Sequence, residues 1–267
     1  MNTILIDHSL GQTKNFTMKK LKKNFKNHLQ VNNYLNFNES LNNIYNNINN
    51  FNCFFGGDHS IAIATISKIY KSGMKIIWID AHPDINTFES SITGNIHGMP
   101  LAFLTHLESQ EKLEDKYQTK LDFNIPKIPF EDILYIGIRD IDPFELEIIN
   151  KYSIKYISKF DNFYDIREDI KTFIGDFTFH ISFDVDSLDP EVMPCTGTRV
   201  NNGISKENTK LLLDYLLLLR PNSLDITELN LNEYPIKKKE ETFNLIYETV
   251  SLNTLKELFK NYFIFLN

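Results

Sequence analysis

Cysteine is scarce in this sequence: Cys53 and Cys195 are the only two among 267 residues. That is too few for the disulfide framework of a small secreted scaffold, and it suits free thiols in a reducing compartment. No apolar run approaches the ~20 residues that cross a bilayer. The N-terminus has neither the basic-then-apolar order of a signal peptide nor the Arg-rich, acid-poor look of a transit peptide. A soluble, cytoplasmic protein with no membrane partner is therefore expected. Clustered basic residues are missing too. The formal net charge is −7 and Lys and Arg are scattered, which argues against a nucleic-acid partner. There is no internal repeat and no Gly/Ser- or Pro-rich linker, so residues 1–267 are expected to form one domain.

What is present has a regular order after an Asn-dense opening. A small strand is expected from Ile4 to Asp7, a basic helical stretch from Met18 to His28, and a helix from Glu39 to Ile48, where Leu41, Ile44, Tyr45 and Ile48 recur at helical spacing. Strands are expected at 51–55, 75–80, 132–138, 154–157, 178–184 and 222–227. Helices are expected at 59–71, 98–108, 143–151, 162–173, 205–219 and 239–262. Apolar β runs alternating with amphipathic helices imply an α/β fold, three layers deep, with a mostly parallel central sheet covered on both faces.

Sites in open α/β sheets gather at the carboxyl ends of strands, and the unusual residues lie there. The run Lys75 to Ile79 breaks into Asp80-Ala81-His82-Pro83-Asp84, with acid, imidazole and acid at alternate positions. In an extended chain these side chains share a face, and Pro83 pushes His82 toward the β region. Phe179 to Phe183 ends in Asp184-Val185-Asp186, and Cys53-Phe54-Phe55 ends in Gly56-Gly57-Asp58-His59-Ser60. Four carboxylates (Asp80, Asp84, Asp184, Asp186) and two imidazoles (His59, His82) at neighbouring strand ends repel one another without a counter-charge. Two divalent cations supply about four positive charges, with neutral His completing the ligand set. Solvated acidic loops are the bland alternative. It is disfavoured because all three segments end strands and hold ligands in alternate register. Oxygen-rich ligands with some imidazole favour Mn²⁺ over Zn²⁺. Two such ions about 3.5–4 Å apart share one water and lower its pKa from 15.7 toward neutrality, which implies hydrolysis at an electrophilic carbon or phosphorus.

These motifs, in this order, resemble the ureohydrolase family, arginases most of all, over about residues 51–250. The resemblance implies two Mn²⁺ per chain, one on His59, Asp80, Asp84 and Asp184, the other on Asp80, His82, Asp184 and Asp186, with Asp80 and Asp184 bridging. It implies hydrolysis of L-arginine to L-ornithine and urea by a hydroxide held between the metals. Asn86-Thr87 and Gly94-Asn95-Ile96-His97-Gly98-Met99-Pro100 look like the arginase segments, which implies Asn86, Thr93 and Asn95 as donors to the α-carboxylate. Arg139-Asp140-Ile141-Asp142-Pro143-Phe144-Glu145 implies Asp142 and Glu145 as receivers of the α-ammonium. Asp142 also reads as an N-cap before Pro143, and both uses are compatible. Thr198 and Glu228 complete the substrate pocket. Guanidinium is planar and always charged, so a carboxylate is its natural partner. The resemblance implies that role for Glu228, and His97 is placed to shuttle a proton to the leaving amine. The residues expected in the reaction itself are thus His97, Glu228 and the ligand Asp84.

Relatives of this kind are commonly oligomers, so a homotrimer is expected. The chain departs from the family in its shortened N-terminal loop near Gly11 and in Pro83 and Arg199. Rival readings are another ureohydrolase, such as an agmatinase, and a metal-binding homologue without turnover. His8, His28 and His106 read as surface residues, His180 as core, Cys195 as a small buried thiol, and Lys237-Lys238-Lys239 as a solvated helix start.

Overall fold

The computed structural model describes residues 3–12, 27–30 and 36–230. Eight strands form one sheet: β1 (Thr3–Asp7), β2 (His28–Gln30), β3 (Cys53–Gly56), β4 (Lys75–Ile79), β5 (Ile133–Ile136), β6 (Lys155–Ile157), β7 (Phe179–Asp184) and β8 (Ser223–Thr227). All pair in parallel, in the order β2-β1-β3-β8-β7-β4-β5-β6. The helices are α1 (Phe37–Asn47), α2 (Ala62–Ile69), α3 (Pro100–Leu104), α4 (Gln110–Tyr117), α5 (Pro143–Tyr152), α6 (Phe163–Ile174) and α7 (Lys206–Leu218).

Strand side chains alternate between faces, and the core divides accordingly. Ile76 and Trp78 of β4 join a cluster with residues of α1 to α5, whereas Ile77 and Ile79 join one with α6 and α7. Helices on both faces give the three layers the sequence implies. Each large aliphatic or aromatic side chain buried this way contributes about 1.5–3 kcal/mol.

Two central strands depart from this apolar alternation. Phe179, Ile181 and Phe183 of β7, with Leu224 and Ile226 of β8, pack toward α6 and α7. Their alternates are polar, all buried, and paired in register: His180 with Ser223, Ser182 with Asp225, Asp184 with Thr227. A buried polar row needs internal partners. His180 Nδ1 meets Ser223 Oγ at 2.8 Å, and Thr65 Oγ1 of α2 donates to Asp225 Oδ2 at 2.7 Å. The row runs up the sheet to Asp184, where the site begins. His180 is accordingly a core residue, as the sequence implies.

Several local expectations are corrected. The helix expected at 59–71 starts as a separate 3-10 turn, His59–Ile61, because the Asp58 side chain caps it by accepting from Ser60 N. The helix expected at 98–108 ends at Leu104, and His106 is left-handed at φ 61°. Helix α4 was not foreseen, since its sequence buries only Leu113 and Glu114 and so shows little periodicity. His28 begins a short strand rather than ending a helix. His8 is not a surface residue but buried, its Nδ1 at 2.6 Å from Ser40 Oγ of α1 and its Nε2 at 3.0 Å from Ser60 Oγ. Burial pushes the His8 imidazole below its usual range despite the opposing pull of Asp58. The basic stretch before residue 27, the helix at 239–262 and Lys237-Lys238-Lys239 lie outside the described residues. Among the described residues, no helix is long and apolar enough to cross a membrane.

Candidate metal centre and substrate cleft

Four strand ends supply the site, each leaving the sheet in a different way. After β3 the chain passes Gly57, where an added Cβ would sit 1.4 Å from the His8 carbonyl oxygen. The close approach of two backbones thus requires glycine, and the turn capped by Asp58 then delivers His59. After β4 the residues Asp80 to His82 bend rather than extend, and Asp84 is left-handed at φ 50°. Asp184 ends β7, and its Oδ1 accepts from Asp186 N at 2.8 Å, opening the 3-10 turn Val185–Ser187. After β8 comes Glu228, left-handed at φ 60°. Such backbone costs about 1–3 kcal/mol per residue and persists where surrounding contacts impose it.

The six expected metal-binding side chains converge. His59 Nδ1 lies 3.0 Å from Asp80 Oδ2, 3.0 Å from Asp84 Oδ2 and 3.1 Å from Asp184 Oδ2. His82 Nδ1 lies 3.2 Å from Asp186 Oδ2 and 3.4 Å from Asp80 Oδ1. Two candidate ligand groups result, His59–Asp80–Asp184 and Asp80–His82–Asp186, and Asp80 belongs to both. The convergence rests on bends and a left-handed Asp84 rather than on the extended register expected from sequence.

The donor chemistry fits divalent cations. His59 Nδ1 is buried without a well-aligned hydrogen bond, although three carboxylate oxygens surround it. Its other ring nitrogen, Nε2, is engaged by Ser182 Oγ at 2.8 Å, and its ring stacks on Trp78 at 4.1 Å between centroids. Trp78 Nε1 in turn donates to Asp80 Oδ2 at 3.1 Å. His82 Nε2 lies 3.6 Å from Asp140 Oδ2, beyond hydrogen-bonding distance. Partners on the far nitrogen of a histidine fix its tautomer and ring orientation for a ligand on the near one.

Protonation reports the crowding. Burial, then the charge of Asp80, pushes Asp84 up to about 7. Asp184 is also raised, by burial and by Asp186 and Asp80. Burial alone would lower His59 and His82, but hydrogen bonds and charges from the surrounding carboxylates outweigh it and raise both. Asp186 goes the other way: burial is overcome by the charge and hydrogen bond of His82 and by Thr198. All four raised groups bind protons more tightly in the folded than in the unfolded chain, so stability falls as pH rises. The metal-free protein is therefore expected to lose thermal stability from about pH 4 to pH 8, and saturating Mn²⁺ is expected to reverse the slope, since metals displace protons. Calorimetric melting temperatures across that range, with and without metal, check this.

A cleft of about 290 Å³ opens over these groups, lined by His82, Asp84, Asn86, Ser91, Ile92, Thr93, Asn95, His97, Gly98, Asp140, Asp142, Glu145, Asp184, Asp186, Thr198 and Glu228. Every residue expected to touch substrate is on that wall. Glu228 Oε1 accepts from His59 N at 2.9 Å and meets His97 Nδ1 at 3.1 Å. Burial pulls the His97 imidazole down, but the hydrogen bond and charge of Glu228 more than offset this, and it rises to about 9. At the other end, Ser90 Oγ donates to Asn86 Oδ1 at 2.8 Å, which turns the Asn86 amide so that Nδ2 donates to Asp142 Oδ2 at 2.9 Å. Asp142 does cap α5, in a capping box with Glu145. Glu145 commits both oxygens to backbone, accepting from Ile85 N and Asp142 N, and burial pushes it up to about 8 despite these bonds. Thr198 Oγ1 donates to Asp186 Oδ2 at 2.6 Å, so it also steadies a candidate ligand.

Arg139 holds the loop behind Asp186. Its guanidinium donates to the carbonyl oxygens of Gly137, Asp186, Ser187, Leu188, Val200 and Asn201. Replacing it by Met should lower stability by about 3 kcal/mol, the range of a broken buried network. In a chain this size that corresponds to roughly 6–12 °C in melting temperature. Arg139→Lys should recover only part, because an ammonium cannot reproduce the fork. Thermal unfolding of both variants checks the ordering.

Four contacts were not foreseen from sequence: Trp78 to Asp80, Ser182 to His59, Asp140 to His82, and Gln12 Nε2 to Glu228 Oε2 at 3.1 Å. The first two carry a signal, since Trp78 and Ser182 each lie two residues before a candidate ligand on the same strand face. The others depend on loop geometry.

The model of the Arginase family matches residues 4–248. An arginase of Emericella nidulans is 41% identical over 167 residues, covering 58% of this chain and 51% of that protein. A Staphylococcus aureus arginase is 39% identical over 192 residues, covering 68% and 61% respectively. The match thus spans little more than half the length of these relatives. The crystal structure of Entamoeba histolytica arginase in complex with L-ornithine superimposes with a TM-score of 0.74 at 26% identity, covering 93% of this chain and 97% of that one. Sheet order, converging acids and imidazoles, and a family match over most of the sequence agree: the chain belongs to the arginase family.

Proposed function

We propose that this chain, as a single domain, hydrolyses the guanidinium group of L-arginine to L-ornithine and urea with two Mn²⁺ bound. The observation that carries the reading is Asp80 standing between His59 and His82, beside a cleft lined by His82, Asp84, Asp184 and Asp186 together with the Asn86–Asp142 pair. His59, Asp80, Asp84 and Asp184 would hold one cation and Asp80, His82, Asp184 and Asp186 the other. When bound, such a pair supplies hydroxide at neutral pH by lowering the pKa of a shared water toward about 7.

The remaining work belongs to the chain. Glu228, buried on the cleft wall, pairs with the guanidinium. Asn86, oriented by Ser90, keeps an N–H for the α-carboxylate, joined by Thr93 and Asn95 from the same wall. Asp142 receives the α-ammonium, and Glu145 holds its backbone in place. His97, held protonated by Glu228, hands a proton to the departing amine. Complementary charges at both ends match an amino acid with a cationic side chain. Both cysteines are free and buried, which favours a reducing compartment such as the cytoplasm.

Urea release measured on arginine beside agmatine tests the assignment. Arginine should be the better substrate, because agmatine has no carboxylate for Asn86, Thr93 and Asn95. Hydrolysis of agmatine alone would refute the pocket assignment.

A further inference from the structure

Gln12 reaches the site from the loop that follows β1. Its Nε2 donates to Glu228 Oε2 at 3.1 Å. An ionised carboxylate only accepts, with about four lone-pair sites. Two on Oε1 are taken by His59 N and His97, and one on Oε2 by Gln12. Among the described residues, Gln12 is thus the side chain that determines where the last site on Oε2 points.

The loop carrying Gln12 is itself fixed to the metal motif. Gly11 N donates to Asp58 Oδ2 at 2.9 Å, and His97 N donates to Gly11 O at 3.1 Å. A Cβ on Gly11 would come within 2.5 Å of Ser60 Oγ. Asp58 therefore anchors both the turn that presents His59 and the loop that presents Gln12. A cation in place of Gln12 would also hold the carboxylate, but it would cancel the charge that attracts a guanidinium. A neutral amide holds it and adds no second positive charge to the one His97 already brings to Oε1.

We infer that Gln12 is a positioning residue that aims the Glu228 carboxylate without neutralising it, and so sets the affinity for the guanidinium end of the substrate. The inference rests on the function proposed above.

The test uses the Mn²⁺-loaded full chain, Gln12→Leu and Gln12→Lys. Urea kinetics on arginine, calorimetric binding of L-ornithine and metal content per chain are measured. Urea release by the unaltered chain comes first, and its absence overturns the functional reading together with this inference. Given activity, Gln12→Leu should raise KM about 10-fold, as for a lost hydrogen bond to a charged group, and affect kcat less. Metal content should not move, and ornithine affinity should fall less than arginine's, since ornithine's terminal ammonium lacks the planar fork that an aimed carboxylate pairs with. Gln12→Lys restores a donor yet should raise KM at least as far. An unchanged KM in Gln12→Leu overturns the inference alone, as does equal weakening of arginine and ornithine, which would mean general damage to the site. A wild-type KM in Gln12→Lys overturns the requirement for neutrality.

Discussion

Replacing Asp80 by Asn is expected to cut urea release from arginine by on the order of 10³-fold or more, and to lower the metal bound per chain. The position is singular because its two oxygens serve different partners. Oδ2 lies 3.0 Å from His59 Nδ1 and Oδ1 lies 3.4 Å from His82 Nδ1, so one carboxylate belongs to both candidate ligand groups. An amide keeps the size and one acceptor but removes the charge and one ligand oxygen. Both cations should therefore weaken together, not one of them. Metal analysis beside kinetics is the check, and full metal content with full turnover would exclude Asp80 as a shared ligand.

His97→Ala is expected to lower kcat by about 10²–10⁴-fold, the usual contribution of a positioned acid or base, while metal content stays unchanged. His97 sits on the 3-10 turn Ile96–Gly98, its backbone N–H fixed by Gly11 O and its ring fixed by Glu228. It lines the cleft but is not in either candidate ligand group. Because Glu228 raises it to about 9, the imidazole is charged at neutral pH and can donate. The rate should therefore fall as pH rises through about 9, and that alkaline fall should be missing from the residual activity of the variant. Retention of full turnover would remove His97 from the proton transfer.

The sequence was legible where one physical cause dominated. β4 reads as a buried strand because Ile76, Ile77, Trp78 and Ile79 bury into helices on both faces, and the acids just beyond it mark a strand end with chemistry. The candidate ligands after β3 and β7 stand out for the same reason. What was hidden depends on contacts between distant segments. His8 looks like a loop histidine until α1 and the His59 turn close over it with Ser40 and Ser60. Gln12 and Glu228 are separated by 216 positions, and no local pattern links them. Helix α4 shows little periodicity because its face is mostly polar. Asp84 joins the cluster through a left-handed backbone, not through the extended register that its spacing implies.

The most direct measurement is anomalous diffraction at the manganese edge from crystals of the Mn²⁺-loaded protein. Two peaks roughly 3.5–4 Å apart are expected, one bonded to His59 Nδ1 and Asp84, the other to His82 Nδ1 and Asp186, with Asp80 reaching both. A loaded protein showing no peak at these strand ends, or side chains of His59 and His82 turned away from a common centre, would contradict the account.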